Sequence, residues 1–179
     1  LFSYVDSGRT GIASVNPDGT GLRRLVDEPF SGTITGNPTC SPNGPEFAFD
    51  TSRDGNSEVY IANLPGGTNQ RNLTSNPNAD GQPRWSSDGK IYFITDRDTP
   101  GTGEFDFYVT NPDGTGLQRF TNLLGVELDL SLSFDLSRFL FTNGPVIGPF
   151  HIYIMNADGT GLTQLTTTGQ NRFPAWRQR

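Results

Sequence analysis

The sequence predicts an all-β fold, a β-propeller of four four-stranded blades, on three observations. A glycine-containing turn recurs at Gly19, Gly67, Gly114 and Gly159, at spacings of 48, 47 and 45 residues. Within each spacing lie four short segments, most of which alternate apolar and polar side chains, the period-two pattern of a strand. Finally, 22 Gly and 13 Pro against 13 Phe and 5 Tyr describe tight turns between bulky strands rather than helices. Four strands per unit, at a repeat in the mid-forties, is the size of a propeller blade.

The opening strand of each unit reads "NPTCSPNG" from Asn37, "QPRWSSDG" from Gln82, the degenerate "LSLSFDLS" from Leu130, and "FPAWRQR" from Phe173. Second strands are "FAFDT", "IYFIT" and "FLFTN", with "LFSYV" at Leu1 as the fourth member. Third strands are "GIASVN", "EVYIAN", "DFYVTN" and "HIYIMN", each followed by the turn and then by "LRRLV", "QRNLT", "LQRFT" or "LTQLT". The predicted single domain covers residues 1–179. Its blades are 37–74, 82–121 and 129–166, and a split blade joins 173–179 to 1–26. Pairing the C-terminal strand with the N-terminal three strands closes the ring and hides the edges of an open stack. Two chains sharing a larger ring is equally compatible with this order.

The segments "QPRWSSDGKIYFITDRD" from Gln82, "TSRDGNSEVYIAN" from Thr51 and "NADGTGLTQLT" from Asn156 resemble the TolB-type (WD40-like) propeller repeat. The resemblance covers essentially the whole chain. It implies a bacterial protein exported to the periplasm or beyond. TolB itself has six blades and an additional domain, whereas four repeats are present here. Fold alone does not fix function, because propellers host many unrelated activities.

Bulk composition excludes some classes. With 13 Lys and Arg against 19 Asp and Glu, the net charge is −6, and no basic run offers phosphates a surface, so no nucleic acid partner is expected. No apolar run approaches the roughly 20 residues of a membrane-spanning helix. One cysteine, Cys40, precludes an internal disulfide and stands where other units have Trp85 and Trp176, so it reads as a buried, inert thiol. The one histidine, His151, stands at the position of Glu58 and Asp106 and reads as a surface residue. No G-x-S-x-G elbow exists, and one histidine cannot build a metal-binding histidine cluster. No enzyme activity and no cofactor are therefore expected. A cation in the central channel is the one exception the reading leaves open.

The Asp-Gly turns at Asp18, Asp113 and Asp158 read as structural, since Gly supplies positive φ and Asp braces the backbone. Hard-cation sites need about six to eight converging oxygens, and one carboxylate per turn cannot supply them. "SRDGNSE" from Ser52 and "DRDTPGTGEFD" from Asp96 place Arg beside Asp, as an ion pair between blades would require. Tyr60, Tyr108 and Tyr153 share one repeat position and read as packing between blades. The same row of aromatics motivates the alternative function, a carbohydrate-binding or carbohydrate-active propeller. Strand connections in a propeller alternate between two faces. The monotonous turns all fall on one, and loops of unequal length on the other. Recognition needs loops of differing shape on a rigid scaffold. The candidate contact face, for a protein partner or another copy of the chain, is therefore Phe30, Arg53, Asp54, Arg97, Asp98, Glu104, Phe150 and Arg172.

Overall fold

The protein was analysed as a computed structural model, which describes residues 1–176. Among these residues all regular structure is β. The first sheet has three strands, β1 (Phe2–Asp6), β2 (Arg9–Ser14) and β3 (Arg23–Pro29). The second has four, β4 (Thr35–Cys40), β5 (Glu46–Thr51), β6 (Glu58–Asn63) and β7 (Thr68–Asn72). The third comprises β8 (Asp80–Trp85), β9 (Ile91–Thr95), β10 (Asp106–Thr110) and β11 (Gln118–Arg119). The fourth comprises β12 (Val126–Leu132), β13 (Arg138–Gly144), β14 (His151–Asn156) and β15 (Thr163–Gln164). Every sheet is an antiparallel meander, so consecutive strands pair through short turns.

Three apolar cores hold four sheets together. Between the first two sheets lie Ile12, Leu25 and Val26 against Phe47, Phe49 and Tyr60. Ala48, Val59 and Ile61 face Ile91, Phe93 and Tyr108 across the next junction. Tyr92, Ile94, Phe107 and Val109 meet Phe139, Phe141 and Met155 across the third. Period two explains this division: along β5, Phe47 and Phe49 point back to the first sheet while Ala48 points forward to the third. Because β6 and β10 are covered on both faces, both read as nearly continuous apolar runs.

The axial strands β4, β8 and β12 each carry a register shift, between Gly36 and Thr39, Gly81 and Arg84, and Leu128 and Ser131. At these bulges Asn37, Gln82 and Asp129 have φ of 49°, 49° and 58°. A left-handed conformation costs a non-glycine residue about 1–2 kcal/mol, and hydrogen bonds from one sheet to the next offset it. The Gln82 amide donates to Asp50 Oδ2 at 2.8 Å. The Asp129 amide donates to Gln82 Oε1 at 2.9 Å, and the Phe173 amide to Asp129 Oδ2 at 3.4 Å. The bulges at Gln82 and Asp129 are thereby latched to the sheet before them, while Asn37 bonds to Asp50 within its own sheet. Pro38 and Pro83, which lack an amide donor, sit where the ladder is already interrupted.

Residues 173–176 continue this series. Phe173 has φ of 57°, and Trp176 Nε1 donates to the Ser131 carbonyl at 3.0 Å. Among the described residues, however, 173–176 form no strand and pair with no part of β1, so the first sheet keeps three strands. Residues 177–179 of the predicted split blade lie outside the described residues.

Cys40 departs from its expected burial and is exposed. Trp85, its counterpart, packs into the core toward the preceding sheet. Cys40 faces the first sheet at the level where that sheet has no axial strand, so nothing covers it. His151 occupies a position that is buried, not superficial, in the other repeats: Glu58 and Asp106 are both enclosed and His151 itself is half-buried.

Candidate contact face

Hydrogen bonds between turns define the two faces. On one, the Ser52 amide donates to Ile34 O, Asp80 to Ser57 O, Glu127 to Phe105 O and Asn171 to Phe150 O. Each bond ties a connection between sheets to a turn between second and third strands of a repeat. These unequal loops therefore share a face, as the topology predicts. On the opposite face, Leu64 donates to Pro45 O and Ala157 to Ser137 O, which groups the Asp-Gly turns with the turns that follow the axial strands.

The Asp-Gly turns satisfy themselves. Asp18 Oδ1 accepts the Thr20 amide and hydroxyl at 2.9 and 2.7 Å. Asp113 with Thr115, and Asp158 with Thr160, repeat the arrangement. The Thr hydroxyl bonds hold all three carboxyl groups below their ordinary range. Asp135, in the turn after β12, drops to about 2 through the Ser133 hydroxyl, then the Ser137 amide and hydroxyl. Gly19, Gly114 and Gly159 have φ of 83°, 84° and 81°, which explains the glycine at each turn. Carboxylates engaged in this way stabilise a turn.

On the loop face the predicted arginines centre three clusters, around Arg53, Arg97 and Arg172, rather than one continuous patch. Arg53 pairs with Glu28 of the first sheet, donates to Gln70 Oε1 at 2.6 Å, and lies 4.5 Å over the Tyr60 ring. Asp54 accepts the Tyr60 hydroxyl. In the third sheet Arg97 pairs with buried Asp80 at 2.9 Å and lies 4.8 Å over Tyr108, whose hydroxyl donates to Asp98 at 2.7 Å. The same Arg-Asp-Tyr unit is thus built twice from the "SRD" and "DRD" motifs. Burial, reinforced by the carboxylate bond, pushes both tyrosines up to about 12. In the third cluster Arg172 pairs with Asp129 at 2.6 Å and lies 5.0 Å over Phe150. Phe30 is exposed, while Glu104 and Phe150 are half-buried.

These contacts make Arg53, Arg97 and Arg172 structural clamps. The most exposed large apolar side chains of the face are Leu124, 92% exposed, Ile147 at 93% and Ile34 at 68%. All three sit on irregular loops. Sequence reasoning passed over them because it followed charge and aromaticity, although an isolated aliphatic residue in a loop of Gly, Pro and Asn was a readable signal. The opposite face also exposes aliphatic side chains, but Leu22, Leu117 and Leu162 are one repeat position used three times.

A further buried unit closes the outer end of the sheets. The hydroxyls of Thr74, Thr121 and Thr166 accept the amides of Val59, Phe107 and Ile152 at 3.0, 2.9 and 2.9 Å. Thr74 donates onward to Glu58, and Thr121 to Glu127 of the following sheet. Glu127 is fully enclosed, and burial pushes its carboxyl up to about 7 against the opposing Thr121 bond. In the fourth sheet His151 stands at the position of Glu58, with Nδ1 buried and unpartnered among the described residues.

Sheets stacked around an axis with latched inner strands define an arc of a β-propeller. A family model for the TolB β-propeller domain matches residues 11–178, and the chain belongs to that family. It is 36% identical over 137 residues to a TolB homolog of Chlorobium luteolum, covering 76% of this chain and 29% of that protein. The structure of TolB from Acinetobacter baumannii matches with a TM-score of 0.77 at 22% identity, over 93% of this chain and 40% of that one. An oligogalacturonate lyase in complex with manganese matches with a TM-score of 0.65 at 14% identity, over 88% of this chain and 42% of that one. The chain therefore spans well under half the length of these relatives. At such identities the two structural likenesses speak to fold alone.

Proposed function

We propose that the chain is a non-enzymatic interaction module, working in the periplasm or outside the cell, that presents its irregular-loop face to a protein partner. One observation carries the reading: Ile34, Leu124 and Ile147 are exposed on loops of unequal shape, opposite turns whose polar groups are satisfied internally. Exposed aliphatic side chains on a rigid frame suit the apolar centre of a protein interface. Membership of the TolB family supports an exported setting. The tyrosines that suggest a carbohydrate ligand offer it little, since Tyr60 and Tyr108 are buried with their hydroxyls engaged by Asp54 and Asp98.

The test compares two triple variants as bait in an extract of the source cells. Serine at Ile34, Leu124 and Ile147 is expected to abolish capture of the partner bound by the unaltered protein. Serine at Leu22, Leu117 and Leu162 is expected to leave it intact. The reverse pattern would show that the wrong face was chosen.

A further inference from the structure

We propose that a cup on the turn face, lined by Trp85, Leu132, Phe134 and Trp176, binds a neutral sugar. It lies opposite the irregular loops, so the inference is independent of the loop-face reading.

The cup forms where one repeat departs from the others at three positions. Leu132 stands where Trp85 and Trp176 stand in the neighbouring repeats. An aliphatic side chain there leaves the room that an indole would take, and a cavity of about 320 Å³ is lined by both flanking rings. In the turn after β12, Phe134 takes the position of Pro42 and Ser87, and Leu136 that of Gly89. Phe134 is 91% exposed. Pro42 and Ser87 are exposed too, although a four-stranded sheet follows each, so the exposure belongs to the turn position itself. Leu136 has φ of 53° where Gly89 has 86°, a left-handed conformation that side chains other than glycine resist. Residues held in such conformations cluster at ligand sites.

The chemistry of the lining selects the ligand. Trp85 Nε1 donates to the Gly89 carbonyl at 3.2 Å and Trp176 Nε1 to the Ser131 carbonyl at 3.0 Å. Both indoles are thereby fixed, and what they offer a ligand is carbon surface. The C–H face of a pyranose ring packs on such surface, since the negative face of an aromatic ring attracts polarised C–H bonds. Polar groups come from serines. Ser86 and Ser133 are committed to their own turns, through Asp88 and Lys90 and through Asp135 and the Arg138 amide. Ser87 donates to the Phe134 carbonyl at 3.3 Å and keeps acceptor capacity, while the Ser131 hydroxyl has no partner among the described residues. A wholly apolar ligand would leave these two hydroxyls without partners. An ionic one would find no opposite charge, because no charged side chain lines the cup among the described residues. The volume lies at the small end of the range for ligand pockets, as one or two sugar rings require.

Tryptophan fluorescence tests this directly, because the chain's 2 tryptophans, Trp85 and Trp176, both line the cup. Titration with maltose, cellobiose, lactose and chitobiose is expected to give a saturable change with at least one of them, in the millimolar range. Phe134→Ser installs the residue that the preceding turn carries at Ser87, and should weaken binding of that sugar by roughly tenfold. Leu132→Phe fills the cup with a ring and should abolish the response. Both variants should retain the circular dichroism of the parent. Serine at Ile34, Leu124 and Ile147 should leave the titration unchanged, which separates this inference from the loop-face reading. The proposal is overturned if no disaccharide in the panel gives a saturable change, or if the response survives both cup substitutions. Tighter binding of digalacturonate than of every neutral disaccharide also overturns it.

Discussion

Replacing Glu127 with Gln isolates a buried carboxyl whose protonation is strongly perturbed. The carboxyl is fully enclosed between the third and fourth sheets and pushed from 4.5 to about 7, chiefly by burial. The Thr121 hydroxyl and the amides of Phe107 and Leu123 oppose that rise without cancelling it. Because the folded value is the higher, the folded protein retains a proton that the unfolded chain gives up. Its contribution is fully present below about pH 4.5 and declines as pH rises to about 7, where it levels off. The difference corresponds to about 3 kcal/mol. The Gln variant cannot ionise, and its single carbonyl oxygen keeps an acceptor for one of the two amides, which in the parent donate to different oxygens of Glu127. Urea unfolding at intervals between about pH 4.5 and pH 8 should show the parent losing stability on that order while the variant stays flat relative to it. At the upper end the variant should be the more stable of the two. Carboxyls held low, such as Asp135 at about 2, affect stability only at more acidic pH. Equal slopes for both proteins, or a variant weaker by several kcal/mol throughout, would refute the reasoning.

Arg97→Ala strips buried Asp80 of its guanidinium partner and should cost about 3–5 kcal/mol by urea unfolding at neutral pH. The loss should shrink in acid, since burial raises the Asp80 carboxyl and eases its neutralisation. Gly114→Ala, at φ of 84° and with no close neighbour, should cost about 1 kcal/mol. Partner capture should be unaffected, because the turn is structural. A thiol reagent should titrate Cys40 without denaturant, and slow labelling there would contradict its exposed placement.

The blade framework was legible because it rests on local chemistry. A glycine at positive φ and an Asp bracing the next Thr leave the same mark at Asp18, Asp113 and Asp158, so the turns could be read one by one. Strand faces followed from period two, and the repeated tyrosines were legible as packing for the same reason. What escaped were residues whose state is set by the neighbouring sheet. Cys40 looked buried by analogy with Trp85, but its cover would come from an axial strand the first sheet lacks. Glu127 belongs to no repeated motif, and in the structure it serves a threonine of the preceding sheet. The motifs holding Arg53 and Arg97 were legible as ion pairs, but sequence does not show the ring, Tyr60 or Tyr108, over which each guanidinium settles.

The most direct measurement of the central claim is amide hydrogen exchange of the protein with and without its captured partner. Protection is predicted over residues 30–34, 120–125 and 145–150, with the Asp-Gly turns at 16–20, 111–115 and 156–160 unchanged. Protection confined to those turns would contradict the claim.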